Sequence, residues 1–126
     1  MARILVIEDE KNIARAVKDK LSHDGHQVEF RQSGPEALAF LKEAIVDLII
    51  LDVLMPDMDG FEVVDRLKAD GRTRSIPIII LSVLSEDERV QSLGVEGHLT
   101  KPYKGADLLR IVHETLALRA GGKHGK

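Results

Sequence analysis

Short apolar runs alternate with amphipathic stretches along the chain, and this pattern predicts its structural elements. The first, third and fourth runs are apolar and rich in β-branched residues, which is typical of parallel strands that are buried on both faces. The five predicted strands are RILVI (3–7), QVEF (27–30), DLIIL (47–51), IPIIIL (76–81) and VEGHL (95–99). Together they predict a five-stranded sheet.

Apolar residues recur at helical spacing between the predicted strands. In the first of these stretches Ile13, Val17 and Leu21 share one helix face. Similar patterns occur in residues 37–41, 63–67 and 108–116, and SEDERVQSL (85–93) is interpreted as a further helix. Strands that alternate with helices in this way indicate an α/β fold of the (βα)5 type, in which helices cover both faces of a parallel sheet.

The length and composition suit one domain with one hydrophobic core. The chain has 126 residues, of which 44% are hydrophobic, and this length is close to the commonest size of a single domain. No internal repeat and no second domain is evident in the sequence. We expect the domain to cover residues 1–118, and we expect the aperiodic segment RAGGKHGK (119–126) to be a disordered basic tail.

The composition argues against several classes of function. The chain has no Cys, so it forms neither a disulfide nor a thiolate metal site. The formal net charge of −3 gives no general attraction to nucleic acid or to an anionic membrane. No uncharged apolar run approaches the roughly 20 residues that a membrane span needs, and no signal peptide is evident. We expect a soluble cytoplasmic protein without a direct nucleic-acid or membrane partner.

Several chemically active side chains come directly after predicted strands. Sites in parallel α/β sheets form outside the carboxyl ends of the strands, because these ends share one edge of the sheet. Glu8 and Asp9 follow the first strand, Asp52 the third, Ser82 the fourth, and Thr100, Lys101 and Pro102 the fifth. Three carboxylates, hydroxyl groups and an ammonium group are therefore predicted to converge at one edge.

These groups suit magnesium-dependent phosphoryl chemistry. A buried carboxylate such as Asp52 is costly unless a cation pairs with it. Oxygen ligands without His or Cys suit Mg²⁺, which takes few protein carboxylates and keeps waters that a phosphate replaces. Lys101 and Ser82 at the same edge would stabilise a transferring phosphoryl group, and a carboxylate is a known covalent acceptor of phosphate.

Four motifs, taken in order, resemble the receiver domain of two-component response regulators. The motifs are VIEDE, LDVLMPDMDG, IIILS and HLTKP, and the resemblance covers residues 3–118. It implies a doubly wound, flavodoxin-like and CheY-like fold with the strand order 2-1-3-4-5. It also implies a signalling domain in which Asp52 accepts a phosphoryl group from the phosphohistidine of a sensor histidine kinase or phosphotransfer protein, and later loses it.

The resemblance further implies a magnesium site. Its ligands would be Glu8, Asp9, Asp52 and the backbone carbonyl of Leu54. Asp9 also suits the N-cap of the helix that follows, which is a common role for Asp. We favour metal binding by Asp9, because Glu8 lies beside it and both come at the shared edge of the sheet.

The same resemblance assigns the residues that would read the phosphate. Lys101 would pair with the phosphate, and Ser82 would swing to bond it and draw His98 inward as a switch. The Lys101–Pro102 peptide bond would be cis, which proline makes accessible. The fourth helix, fifth strand and fifth helix would form a face for an output protein or for a second copy of the chain.

The sequence departs from the family pattern at three places. His98 replaces the usual Tyr or Phe, and its polar, titratable ring predicts a weaker or pH-sensitive switch. Val83 stands where the family has a small residue, and together with Leu54 it is expected to modulate access to the site and to slow phosphoryl transfer and hydrolysis. The stretch from Ser82 to Lys101 is shorter than usual by roughly one helical turn, so the helix over residues 85–93 is expected to be truncated.

Two other functions are compatible with these residues. A pseudo-receiver would keep the fold and bind a partner without phosphorylation, and Val83 and His98 favour it. A phosphatase with an aspartyl nucleophile would need a general acid beside Asp52, where the chain has Leu54, and a cap over the site.

Four histidines lie outside the four motifs, namely His23, His26, His113 and His124. His113 begins a sequence like the helix motif of a zinc protease, but Ala117 stands where that motif needs a second His. We expect these four histidines to lie on solvated faces.

Overall fold

A computed structural model of the chain describes residues 2–52, 60–82 and 94–124. Strands and helices alternate over these ranges. The elements are β1 (Arg3–Ile7), α1 (Lys11–His23), β2 (Gln27–Arg31), α2 (Gly34–Glu43), β3 (Leu48–Asp52), α3 (Gly60–Ala69), β4 (Ile78–Ser82), β5 (Gly97–Thr100) and α4 (Gly105–His124). The helix predicted over residues 85–93 lies outside the described residues.

The five strands form one parallel sheet in the order β2-β1-β3-β4-β5. This confirms the predicted α/β fold and the strand order that the family resemblance implies. The chain runs outward from β1 to β2 and then returns to the other side of β1 to form β3. The carboxyl ends of β1 and β3 therefore flank the topological switch point, where ligand sites form in open α/β sheets.

Three strands begin and end slightly later than the apolar pattern predicts. Asp47 was predicted to open β3, but its carboxylate accepts a hydrogen bond of 2.8 Å from the backbone N–H of Arg3. At the other end Asp52 pairs in register with Leu81, and Ser82 pairs with Thr100. Polar residues thus belong to the ends of β3 and β4, and β3 carries the carboxylate of Asp52 to the edge of the sheet.

Two hydrophobic clusters, one on each face of the sheet, hold the layers together. Neighbouring residues of β1 and β3 alternate between the clusters, because successive side chains of a strand point to opposite faces. Leu5, Ile7, Ile49 and Leu51 pack with α2 and α3, whereas Ile4, Val6, Leu48 and Ile50 pack with α1 and α4. All of β3 is buried, including Asp52, so the core fixes the position of this carboxylate.

The last helix is longer than the sequence pattern predicts. α4 continues to His124, so residues 119–124 of the predicted tail are helical. Ala117, Leu118, Arg119 and Ala120 are strong helix formers, and they extend a helix that Leu108 and Val112 already anchor in the core. The domain boundary at residue 118 stays a prediction. No helix in the described ranges is long and apolar enough to cross a bilayer.

The prediction that the four histidines are solvated is wrong for His26. Its side chain is only 9% exposed, and its Nδ1 accepts a hydrogen bond of 3.1 Å from the backbone N–H of Ala2. His26 directly precedes β2, and the pairing of β2 with β1 carries its ring against the start of the sheet. His23 and His113 are exposed, as predicted.

Candidate functional site

Three carboxylates meet at the carboxyl ends of the adjacent strands β1 and β3. Glu8 and Asp9 directly follow β1, and Asp52 is the last residue of β3. One oxygen from each residue lies within 4.8 Å of the others. Glu8 is 2% exposed and Asp52 is 7% exposed, so two of these three acids are largely withdrawn from water.

Lys101 supplies a positive charge to this cluster from the far side of β4. It follows β5, and its Nζ donates a hydrogen bond of 2.9 Å to Oδ2 of Asp52. The same Nζ lies 3.5 Å from Oε1 of Glu8. A carboxylate at the end of a buried strand is costly unless a cation pairs with it. In this structure the ammonium group of Lys101 is such a partner for Asp52.

The surroundings of Glu8 disfavour its charged form. Its Oε2 accepts a hydrogen bond of 3.1 Å from the backbone N–H of Glu10, but its buried Oε1 makes no hydrogen bond. Burial raises the pKa of Glu8 to about 7, and the charge of Asp52 adds to this effect, whereas the Glu10 N–H and Lys101 oppose it. The loss of hydration thus outweighs the nearby cation.

The environment of Lys101 favours its charged form. Burial acts to lower the pKa of Lys101, but the hydrogen bond to Asp52 and the negative charges of Glu8 and Asp52 outweigh it and raise the pKa. Lys101 therefore remains an ammonium ion at neutral pH, and it is the available countercharge for an anion that arrives at Asp52.

Tyr103 is a further residue near the site, and the sequence pattern did not predict it. Burial raises the pKa of its phenol. The charge of Lys101 opposes this rise, and the charges of Glu8 and Asp52 add to it. The signal in the sequence was its position two residues after Lys101, but the pattern of strands does not show that its side chain is partly buried against the core between α1 and α4.

The cap interpretation of Asp9 does not hold in the structure. The N-cap of α1 is Glu10, whose side chain accepts a hydrogen bond of 3.1 Å from the backbone N–H of Asn12. Asp9 is therefore not needed to cap the helix, and its carboxylate lies with Glu8 and Asp52 instead.

The carboxylate cluster fits a hard divalent cation. It offers oxygen atoms only, which Mg²⁺ prefers over nitrogen and sulfur ligands. The buried Oε1 of Glu8 lacks a hydrogen bond, and a cation would satisfy it. A cation would also offset the repulsion between Glu8 and Asp52, which contributes to the raised pKa of Glu8.

Two further predicted site residues, Ser82 and Pro102, lie at the same edge of the sheet. Ser82 ends β4 in register with Thr100 of β5. His98 lies within β5, with its Nε2 buried and without a hydrogen bond. The Lys101–Pro102 peptide bond is cis, as the resemblance implies. Leu54 and Val83 lie outside the described residues, and so does the predicted helix that would complete the partner face.

Comparisons with known proteins agree with this geometry. A family described as the response regulator receiver domain matches residues 4–113. Response regulator PleD of Caulobacter vibrioides is 41% identical over 104 residues, which are 80% of this chain and 23% of PleD. The chain spans about half or less of the length of the curated relatives that it matches.

Solved structures show the same likeness. The chemotaxis response regulator CheY4 of Vibrio cholerae is 32% identical, with a TM-score of 0.86 over 91% of this chain and 98% of that one. The receiver domain of a sensor histidine kinase from Pseudomonas aeruginosa PAO1, solved with a magnesium ion in its active site cleft, is 28% identical, with a TM-score of 0.84 over 92% and 98% of the two chains. Because the family match spans most of the sequence and the fold agrees, the chain belongs to the response regulator receiver domain family.

Proposed function

We propose that this receiver domain accepts a phosphoryl group onto Asp52 from a phosphohistidine, in a magnesium-dependent reaction, and changes conformation to control an output or a partner. The observation that carries the proposal is the contact between Asp52 and Lys101 beside two further carboxylates. Oδ2 of Asp52 lies 2.9 Å from Nζ of Lys101, at the switch point of the sheet.

In the proposed reaction a carboxylate oxygen of Asp52 attacks the phosphorus atom. A new O–P bond forms, the P–N bond of the phosphohistidine breaks, and the leaving imidazole keeps the electron pair and takes a proton from solvent. The product is an acyl phosphate on Asp52. Later attack by water on phosphorus would return the free carboxylate and release inorganic phosphate.

The ammonium group of Lys101 would change its ion-pair partner during this transfer. It now pairs with Oδ2 of Asp52, and the arriving phosphoryl oxygens would become its new partners. The hydroxyl of Ser82 would donate to another phosphoryl oxygen, and His98 would move inward as this hydroxyl moves. The phosphate would thereby favour one of two packings of the domain, which is a shift in population.

Mg²⁺ would be held by Glu8, Asp9 and Asp52, together with the backbone carbonyl of Leu54. When bound, it would offset the negative charge of the carboxylates and of the transferring phosphoryl group. Glu8 and Asp9 would thus act as positioning ligands, whereas Asp52 would both bind the metal and accept the phosphoryl group.

The test is the intact mass of the protein after incubation with a small-molecule acyl phosphate. We expect a gain of one phosphoryl group with Mg²⁺ and no gain with a chelator present. The Asp52→Asn variant should show no gain under either condition. A folded wild-type protein that binds Mg²⁺ but gains no mass would contradict the proposal and favour a pseudo-receiver that acts without phosphorylation.

The partners are proposed on the same basis. The phosphoryl donor would be a sensor histidine kinase or a phosphotransfer protein in the cytoplasm. The output surface would include β5 and α4, together with the helix predicted over residues 85–93, and it would contact an output protein or a second copy of the chain.

We expect a Val83→Ala variant to gain and lose the phosphoryl group several-fold faster than the wild type. Val83 directly follows Ser82, and its branched side chain has little rotational freedom, so it would crowd the phosphate and the attacking water. Time courses of intact mass measure both rates. Val83→Thr keeps the branched shape and should remain slow. Equal rates for Val83→Ala and the wild type would show that Val83 does not limit access.

A further inference from the structure

A second cluster of ionisable side chains lies at the opposite edge of the sheet from Asp52. It joins Asp24 in the turn after α1, His26 just before β2 and His113 on α4, and one ligand atom from each lies within 4.8 Å of the others. Nε2 of His113 lies 2.7 Å from Oδ2 of Asp24. Nε2 of His26 lies 3.3 Å from the same oxygen.

His26 is the member of this cluster that has a buried atom without a hydrogen bond. Its side chain is 9% exposed, and its buried Nε2 makes no hydrogen bond, although it lies 3.3 Å from Oδ2 of Asp24. The turn before it does not depend on this nitrogen, because the backbone N–H groups of Asp24 and Gly25 bond the carbonyls of Leu21 and Ser22. A buried polar atom without a hydrogen bond destabilises the folded state, so a ligand bound to Nε2 would satisfy this atom.

We propose that Asp24, His26 and His113 form a binding site for a divalent transition-metal ion of the Zn²⁺ type. Two imidazole nitrogens and one carboxylate oxygen are a common set of three protein ligands for such ions, with water in the fourth position. Imidazole favours Zn²⁺, Ni²⁺ or Cu²⁺ over Mg²⁺. The site thus differs in chemistry from the carboxylate cluster, which offers oxygen only.

The carboxylate of this site is already in the form that binds a metal. The hydrogen bond with His113 lowers the pKa of Asp24, and the charges of His113 and His26 act in the same direction. The ring of His113 is 58% exposed, so a metal ion can reach its Nε2 from solvent.

Metal binding at His26 has a consequence at the start of β1. Nδ1 of His26 accepts a hydrogen bond from the backbone N–H of Ala2, so the neutral ring carries its proton on Nε2. A metal ion on Nε2 requires the proton to be on Nδ1, since a neutral imidazole carries only one. The bond from Ala2 would then be lost, and the amide of Ala2 would report metal binding at His26.

A bound ion would also connect distant parts of the fold. His113 and Asp24 are 89 positions apart in the sequence, so the ion would tie α4 to the turn between α1 and β2. Because the ion would bind the folded chain preferentially, it should raise the melting temperature.

The experiment uses protein without a histidine tag, stripped of metal and then titrated with Zn²⁺ against a chelating dye. Excess Mg²⁺ is present throughout, so that the carboxylate cluster is not counted. We expect one Zn²⁺ per chain, a higher melting temperature and a shift of the Ala2 amide resonance. His113→Gln and Asp24→Asn should each weaken binding by at least about tenfold.

The matched control is His23→Gln, which removes an exposed histidine from the same end of α1 and should bind Zn²⁺ as the wild type does. Circular dichroism confirms that each variant is folded, which we expect because Asp24 and His113 are exposed. Failure of the wild type to bind one Zn²⁺, wild-type affinity in either ligand variant, or an Ala2 amide that does not move would each overturn the proposal. None of these outcomes depends on phosphorylation of Asp52.

Discussion

Replacement of Lys101 by Met should slow the phosphorylation of Asp52 by a small-molecule acyl phosphate by about 100-fold or more. The Nζ of Lys101 lies 2.9 Å from Oδ2 of Asp52, so it stands where negative charge would accumulate as the phosphoryl group arrives. Removal of one preorganised donor at such a position typically costs about 100- to 1000-fold in rate. The measurement is the time course of intact mass at saturating Mg²⁺.

Two observations would show that the loss arises from the site and not from the fold. Lys104→Met removes an exposed lysine three positions further along the chain, and it should react at the wild-type rate. Lys101→Met should bind Mg²⁺ at least as tightly as the wild type, because the competing positive charge beside Glu8 and Asp52 is gone. Phosphorylation of Lys101→Met at the wild-type rate would contradict the role proposed for Lys101.

The convergence of the site residues could be predicted from the sequence because it depends on topology. Once Glu8, Asp52 and Lys101 are placed after parallel strands, the geometry of the sheet brings them to one edge whatever the details of the loops. The cluster of Glu8, Asp9 and Asp52 and its contact with Lys101 agree with that expectation. The roles of these residues remain the proposal made above.

The features that the sequence did not predict depend on local competition between polar groups. Asp9 and Glu10 are both able to cap α1, and the structure uses Glu10. Asp47 and Asp52 both flank the same apolar run, yet Asp47 lies outside β3 and Asp52 within it. The pattern of apolar residues does not distinguish the two members of such a pair. Single hydrogen bonds determine which member caps the helix or belongs to the strand.

The burial of His26 was missed for a different reason. A histidine beside a turn glycine is ordinarily exposed, and nothing in the local pattern distinguishes it from His23. Its burial follows from the pairing of β2 with β1, in which Gln27 donates to the backbone carbonyl of Ala2, and from the position of α4. These are contacts between segments far apart in the sequence.

The carboxylate cluster lowers the stability of the folded protein, although it carries the proposed function. A buried acid that keeps an oxygen without a hydrogen bond weakens the folded state, and Glu8 is such an acid. The arrangement is understandable if a cation is the missing partner of that oxygen. Stability and cation binding should then respond to pH in opposite directions, and both responses should be smaller when Glu8 cannot ionise.

We expect the metal-free protein to become less stable as pH rises from about 4.5 to about 8, with Glu8 as a principal cause. The pKa of Glu8 is raised from 4.5 to about 7 in the folded protein. Between these values the folded state binds more protons than the unfolded state, so the free energy of unfolding falls as pH rises. The stability due to protonated Glu8 is fully present below pH 4.5 and is lost as pH passes through about 7. At about 1.4 kcal/mol per pKa unit, this loss is at most about 3 to 4 kcal/mol.

The measurement is urea unfolding with a chelator present at pH 5 and pH 8, for the wild type, Glu8→Gln and Glu114→Gln. Other groups titrate in the same range, so the informative quantity is the difference between each variant and the wild type. Glu8→Gln should gain stability relative to the wild type on going to pH 8, whereas Glu114→Gln, on the exposed face of α4, should not. Mg²⁺ at pH 8 should stabilise the wild type more than Glu8→Gln, because the cation binds the ionised carboxylate. Equal pH dependence in Glu8→Gln and the wild type would mean that Glu8 is ionised throughout, and that burial does not outweigh Lys101.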